Sequence, residues 1–503
     1  MGKSTKYTFV LILLIGLLYG YAGTGYLTWL YRISDVFSIK LIDVFGNIID
    51  YTFQAAGILV ATFLLKSYFN KNHIIFYTAT VFEVVFMILA ILTSGSYATL
   101  IFAIGMDFCF GILFSSAFSL ISGFPHNVHG IVVGIGWAIG SIASFVVSVP
   151  SEGRFIKSEY SLILYILLAF VCAILFRYVF SWERYKDVEY NIVGNTNKDN
   201  KNTFPIKWVI QSVLLIVLLE TTINLGFLFP LSEVVGGSMS FELSRSFYSI
   251  GLIVAGLLFV KSRQNGIILC LCALVCPFLS LLFENYAIAD SAIWALNYIL
   301  IGPVMVYATI IFTHHVKYGF FLAGFGLLAR RIGQIISYTV GSRLREYPPV
   351  LIVVTFVLLV LAFYATYMYE KKNRLSENIL VRDNLLNISN NILINDHSKK
   401  IIDNESKEEN IFENDIELNA ESDMPENKEE NVQEIKQNLF CEKYAITSRE
   451  KEVMMLVLEG NSNPVIAQKL FVSENTIKFH MKNILKKTGV QNRAELRIIY
   501  DEF

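Results

Sequence analysis

Lys478, Lys482 and Lys486 recur at every fourth position near the C-terminus of this 503-residue chain, with Phe479, His480 and Asn483 between them. Residues four apart share one face of a helix, so this spacing sets the ammonium groups in a row. A fixed row of positive charge suits a polyanion, and a short helix carrying one can enter the major groove of double-stranded DNA. The same row is also what a merely solvated amphipathic helix presents. The elements that must position the lysines decide between the two.

Ile477, Met481 and Ile484, spaced i, i+4 and i+7, form an apolar stripe on another face of that helix, and the stripe needs partners. Two upstream helices supply them. Thr447 with Glu450 three residues on is a capping box that starts the first, whose Val453, Met454, Leu456 and Val457 point inward until Gly460 ends it. Asn463 is placed to cap the second with Pro464 at its first helical position, and Ile466, Ala467, Leu470 and Phe471 face inward. Ser473 then caps the lysine-bearing helix. Two short helices, a tight turn and a cationic helix are the parts of a helix-turn-helix.

Across about residues 440 to 500 these positions resemble the LuxR-type helix-turn-helix family. The resemblance rests on Thr447-x-Arg449-Glu450-x-Glu452-Val453, Gly460-x-Ser462-Asn463, Ile466-Ala467-x-x-Leu470, Ser473-x-x-Thr476-Ile477-Lys478-x-His480, Asn483-Ile484 and Lys487-x-Gly489-Val490. It implies a small four-helix DNA-binding domain in which Lys478, Phe479 and Lys482 face bases, while Thr476, His480 and Asn483 meet phosphate or hold the framework. Lys486 extends the row. Phe479 is larger than the residue common at its position, and Pro464-Val465 stands where the family usually carries a charged pair. The implied partners are double-stranded DNA, a second copy of the chain on paired half-sites and RNA polymerase.

The rest of the chain has a different character. Fifty-four per cent of the chain is hydrophobic and 14% aromatic, more than a soluble domain carries. Apolar runs of spanning length lie near 8–30, 45–66, 74–94, 97–118, 127–149 and 161–181, and again near 207–231, 242–262, 266–283, 290–312, 317–341 and 349–369. The expected fold is therefore all-α: a polytopic membrane domain of about twelve transmembrane helices over 1–370, in halves 1–181 and 207–370 around a cytoplasmic loop 182–206. Two sets of six spans resemble the major facilitator architecture. Loop lysines and arginines such as Lys66, Lys71, Lys186, Lys261, Arg263 and Lys371 outnumber Arg32, Lys40, Arg154 and Arg343 on the alternate side. Both termini are thus expected in the cytoplasm of a bacterium, with the spans in its inner membrane. Lys66 to Asn72 and Lys261 to Gly266 lack the charged glycine loop of major facilitators, which favours a sensor over a carrier.

Ionisable groups inside spans are costly and are functional candidates by default. Glu83, Asp107 and Glu220 sit about ten residues into their runs, mid-bilayer at roughly 1.5 Å per residue, and Arg330 and Arg331 lie deep in the eleventh. In the resembled architecture Tyr26, Asp107, Glu220, Asn224, Asn297 and Tyr298 would approach a central small-molecule ligand, with Arg330 and Arg331 as further contacts. Structural pairing of the acids with the arginines is the alternative. An arginine pair would suit an anion, and the many tyrosines and phenylalanines a flat aromatic ligand. Gly130-x-x-x-Gly134 and Gly136-x-x-x-Gly140 indicate close helix packing.

Six cysteines, mostly inside apolar runs, imply neither disulfides nor a metal site, and His126, His129, His314 and His315 lack further ligands at metal spacing. No cofactor is implied. Residues 371–439 are rich in Asn, Glu, Asp and Lys, a disordered tether leading to the DNA-binding domain at 440–503. No nucleophile and base, phosphate loop or metal cluster suggests an enzyme. The expected function is a membrane-bound transcriptional regulator whose transporter-like domain senses a small molecule. The rivals are a secondary transporter with a regulatory tail and an inert anchor for a constitutive DNA-binding domain.

Overall fold

The computed structural model describes residues 3–34, 36–148, 160–182, 205–229, 241–279, 281, 287–315, 318–373, 437, 440–441, 443–444, 446–470, 472–490, 492–501 and 503. Among them all secondary structure is helical. The loop at 183–204, the tether at 374–436, Phe471, Arg154 and Lys186 lie outside the described residues. The chain divides into two compact units, Met1–Lys371 and Lys372–Phe503.

The first unit contains α1 (Lys3–Ile33), α2 (Ile39–Ser67), α3 (Asn72–Leu92), α4 (Ala98–Ser119), α5 (His126–Ser148) and α6 (Tyr160–Phe180). Its second set is α7 (Ile206–Gly226), α8 (Phe241–Lys261), α9 (Arg263–Leu279), α10 (Ala287–Thr313), α11 (Gly319–Leu344) and α12 (Pro348–Asn373). Among the described residues ten helices are long and apolar enough to cross a membrane, and the described parts of α8 and α9 are shorter apolar helices. Helices suit that medium because they satisfy every backbone polar group within one segment. Phe63, Phe170, Val353 and Phe356 stand exposed on outer faces, where acyl chains replace water as their surroundings.

The packing repeats with an offset of six helices. α1 lies on α5, α2 on α4 and α3 on α4, and likewise α7 on α11, α8 on α10 and α9 on α10. α6 packs on α1 and α3, while α12 reaches α7 through the Ser212–Tyr369 hydroxyl pair at 2.7 Å and α9 through Arg263–Glu370 at 3.0 Å. The halves meet where α5 packs on α8 and α2 on α11. Small residues permit these approaches. A Cβ on Gly57 would fall 2.1 Å from the Phe108 carbonyl oxygen, and at the equivalent crossing one on Gly251 would fall 1.6 Å from that of Ile299. Gly130 and Gly134 pack on Gly256 of α8, whereas Gly136 and Gly140 pack on α1 around Gly16. The two glycine pairs of α5 thus serve different neighbours, one within its half and one across to the other half.

The second unit contains α13 (Ser448–Leu458), α14 (Asn463–Lys469), α15 (Glu474–Thr488) and α16 (Arg493–Asp501) around its own core of Phe440, Val453, Met454, Ile466, Ile477, Ile484 and Leu496. The Thr447–Glu450 capping box forms with both reciprocal bonds. Gly460 and Gly489 take positive φ of 89° and 76°, a region closed to most side chains, and so end α13 and α15. One local expectation is corrected. Ser462 holds the N-cap position of α14 without a side-chain bond, and Asn463 is its first residue, which moves Pro464 to the second. Asn463 Oδ1 instead accepts a 2.7 Å hydrogen bond from Arg493, tying α14 to α16. That tertiary partner draws the amide away from the cap.

Candidate functional site

Ser473 starts α15 by accepting from the Thr476 N–H at 3.2 Å. Ile477, Met481 and Ile484 are buried against α13 and α14, so the helix is fixed in rotation. What remains outward is set by that rotation: Lys478, Phe479, Lys482 and Lys486 are exposed, while Thr476, His480 and Asn483 are half-buried at the margin. Phe479 is 62% exposed, whereas Phe440 is buried in the core of the same domain. An exposed aromatic ring among lysines offers an apolar surface that could meet a base edge or thymine methyl. Lys478 meets Glu474 at 2.7 Å, a solvent-exposed pair of little net worth that a phosphate can replace.

Two further contacts make the scaffold stiff. Arg449 bonds Glu452 and donates to the Leu470 carbonyl at 3.1 Å, joining the start of α13 to the end of α14. Lys487 pairs with the buried Glu450, so the last turn of α15 is locked to the cap of α13. Burial alone would raise the Glu450 carboxyl, but the hydrogen bonds from Lys487 and from the Thr447 N–H and hydroxyl outweigh it and hold the group below its ordinary value. A lowered folded value contributes stability above the unfolded value of about 4.3 and loses it as pH falls through the folded one. Acid titration of the 440–503 fragment, followed by circular dichroism, is therefore expected to show a Glu450-dependent loss below about pH 4.3. Glu450→Gln should be less stable at neutral pH and flatter in that acid limb; an unchanged limb would remove Glu450 as its cause.

In the membrane unit, a cavity of about 530 Å³ is bounded by α1, α2, α4, α5 and α11. Of the sequence-derived ligand residues, Tyr26, Asp107 and Arg331 line it. The other five do not line this cavity, so the eight residues do not make one site. Glu220 and Arg330 form a bidentate pair, with Nε to Oε2 at 2.9 Å and Nη2 to Oε1 at 3.0 Å, both side chains buried. Gln334 adds a 3.0 Å bond to the same carboxylate, and Asn224 donates to the Glu220 carbonyl at 2.7 Å. Asn297 is buried on α10, and Tyr298 packs edge-on against Phe227. Glu83 is fully buried with no hydrogen-bond partner among the described residues and lies off the cavity.

The adjacent arginines of α11 thus do different work. Arg330 is consumed by Glu220 within the second half, while Arg331 lies over the Tyr51 ring at 4.5 Å and bonds Gln334 at 2.7 Å. The arginine pair offers no joint anion site.

Sequence reasoning missed the richest wall of the cavity, which is α2. Asp43, Asn47, Asp50, Tyr51 and Gln54 line it, and the helix makes a π-helical turn at Phe45–Ile49 in their midst. A π turn widens a helix locally and commonly marks a functional segment. Asp43, Asn47, Asp50 and Gln54 recur at intervals of four, three and four, a polar stripe that periodicity could have found. It was hidden because the apolar run begins near 45 whereas the helix begins at Ile39, which carries Asp50 well into the span. Among the described residues no group of three or more His, Cys, Asp or Glu could hold a metal ion.

Residues 445–500 match the family described as bacterial regulatory proteins, luxR family. The spore germination protein GerE of Bacillus subtilis is 36% identical over 61 residues, which are 12% of this chain and 82% of that protein. The CsgBAC operon transcriptional regulatory protein of Escherichia coli is 48% identical over 50 residues, 10% of this chain. The chain spans only 23% of that regulator's length. Among solved structures, the fucose:proton symporter of E. coli aligns over 73% of this chain and 99% of its own, at 12% identity and a TM-score of 0.49.

Proposed function

Through residues 445–500 this chain belongs to the luxR family of bacterial regulatory proteins, and on that premise we propose that it is a membrane-bound transcriptional regulator whose α1–α12 unit senses a small molecule. The observation that carries the reading is the coexistence in one chain of an exposed cationic face, Lys478–Phe479–Lys482 on a helix fixed by its core, and a polar cavity among apolar helices of spanning length. Lysines at loop positions favour the bacterial inner membrane with both termini in the cytoplasm, where the tail meets DNA. The protein acts by binding rather than by catalysis. DNA is the nucleic-acid partner, and occupation of paired half-sites by two copies is the mode that helix-turn-helix modules favour.

Coupling through a tether as long as 371–439 works by proximity and self-association rather than by transmitted orientation. The membrane end of that tether is anchored. Glu370 of α12 accepts from Arg263 of α9 at 3.0 and 3.1 Å and from the Tyr307 hydroxyl of α10 at 2.8 Å, so movement within the second half reaches the point where the tail departs.

The deciding experiment is chromatin capture of the full-length protein in its native membrane, beside a Lys478→Ala, Lys482→Ala variant. Discrete sites lost in the variant are expected. Regulation of the same genes by a soluble 440–503 fragment without any stimulus would reduce the membrane unit to an anchor, and the absence of any enriched site would move the function to transport.

A further inference from the structure

We infer that the α1–α2–α4–α5–α11 cavity is built for an organic ammonium ion bearing an aromatic or alkyl body, its charged nitrogen seated on the Asp50–Asp107 carboxyl pair. This names the ligand class of the sensing reading and rests on that reading only for its regulatory consequence. Asp50 and Asp107 are each 2% exposed, and both line this cavity. Gln54 donates to Asp107 Oδ1 at 2.8 Å. Asp50 Oδ1 and Asp107 Oδ2 receive no hydrogen bond from any other described group. A donor entering the cavity would complete them.

The surroundings select the sign of that donor. Asp43 adds a third carboxyl to the wall, bonded to the Tyr338 hydroxyl at 2.7 Å, and Arg331 lines the same cavity. Three carboxyls against one guanidinium make the wall rich in acceptors for a cation and unfavourable to an anion. Intramembrane carboxyls of this kind are costly to maintain unless something uses them.

The remaining walls suit the body of such a ligand. Tyr19, Tyr26, Phe110, Phe114 and Trp137 present aromatic faces, with the Tyr19 and Trp137 centroids 4.2 Å apart and those of Phe114 and Trp137 5.6 Å apart. Ring faces attract cations and accommodate flat apolar groups. Gly46 lets the Tyr26 hydroxyl close on α2, since a Cβ there would fall 2.8 Å from it. Arg331 already lies over Tyr51, so this wall holds a cation on an aromatic face within the protein itself.

The test is isothermal titration of the full-length protein in lipid nanodiscs with 2-phenylethylammonium, 2-phenylethanol and phenylacetate, three probes of one shape and different charge. The ammonium is expected to bind at least about tenfold more tightly than the other two, and Asp107→Asn and Asp50→Asn each to remove that preference by about the same factor. The charge series on the unaltered protein stands whether or not either variant folds. Preference for phenylacetate, equal binding of the three, or binding of none overturns the inference. Promoter DNA binding by the same nanodiscs separates this from the sensing reading. Ammonium binding with unchanged DNA affinity sinks sensing and leaves the ligand class intact, whereas a DNA response to phenylacetate alone sinks the ligand class and leaves sensing.

Discussion

Replacing Lys478 and Lys482 together with alanine will abolish site-specific DNA binding, with a loss of at least about a hundredfold in affinity for the operator, since each base-facing contact is worth about 1–3 kcal/mol. Both side chains leave the same face of α15, and neither supports the fold: the core beneath is Ile477, Met481 and Ile484. The variant should therefore melt like the parent domain. Salt titration separates the roles. If a lysine reads a base, its removal relaxes preference among sequences; if it meets only phosphate, affinity falls uniformly and the dependence of log K on log salt becomes shallower by about one unit. Phe479→Ala should act differently again, altering preference at a thymine with the salt slope unchanged. An operator affinity within about twofold of wild type in the double variant would show that α15 is not the reading helix.

Neutralising Glu220 will have the largest effect on the membrane unit. Glu220→Gln leaves the Arg330 guanidinium buried with its ionic partner gone, and breaking a buried pair in this way costs about 3–5 kcal/mol. Arg330 would retain the Met305 sulfur at 2.8 Å and the Tyr248 hydroxyl, neutral acceptors that do not replace a carboxylate. The expected result is a large fall in the melting temperature of the full-length protein in detergent. Glu220→Leu combined with Arg330→Met, which removes both charges, should recover most of that loss, because the desolvation cost disappears with the attraction. A melting temperature for Glu220→Gln equal to that of the parent would show that the pair contributes nothing. The consequence for function is specific: the pair fastens α7 to α11, and α11 carries Arg331 on the cavity wall. Loss of the pair should loosen ligand binding without any contact to the ligand.

The DNA-binding end was legible because its determinants are local. A capping box, a cap at Ser473, left-handed glycines at 460 and 489 and a 3.6-residue apolar stripe each act within a few positions, so type and spacing alone specify them. Asn463 is the instructive exception, since its amide could serve the cap of α14 or the side chain of Arg493, thirty residues away, and only the packed domain makes the second available.

In the membrane unit the sequence by itself marked a series of spanning helices, because a run of about twenty apolar residues is dictated by membrane thickness rather than by neighbours. It also marked Asp107, Glu220, Arg330 and Arg331 as costly. Which of them pair with each other and which face a cavity was decided by the tertiary structure alone. Adjacent arginines on a helix point about 100° apart, so Arg330 turns into the second half and meets Glu220, while Arg331 turns toward α2 and the first. The crossing of α2 on α11 likewise brings Asp43 and Asp50 to a shared wall with residues three hundred positions away. Local chemistry gave each ionisable group its cost, but partners are a property of helix packing, and helix packing is written in glycine contacts between segments far apart in the chain.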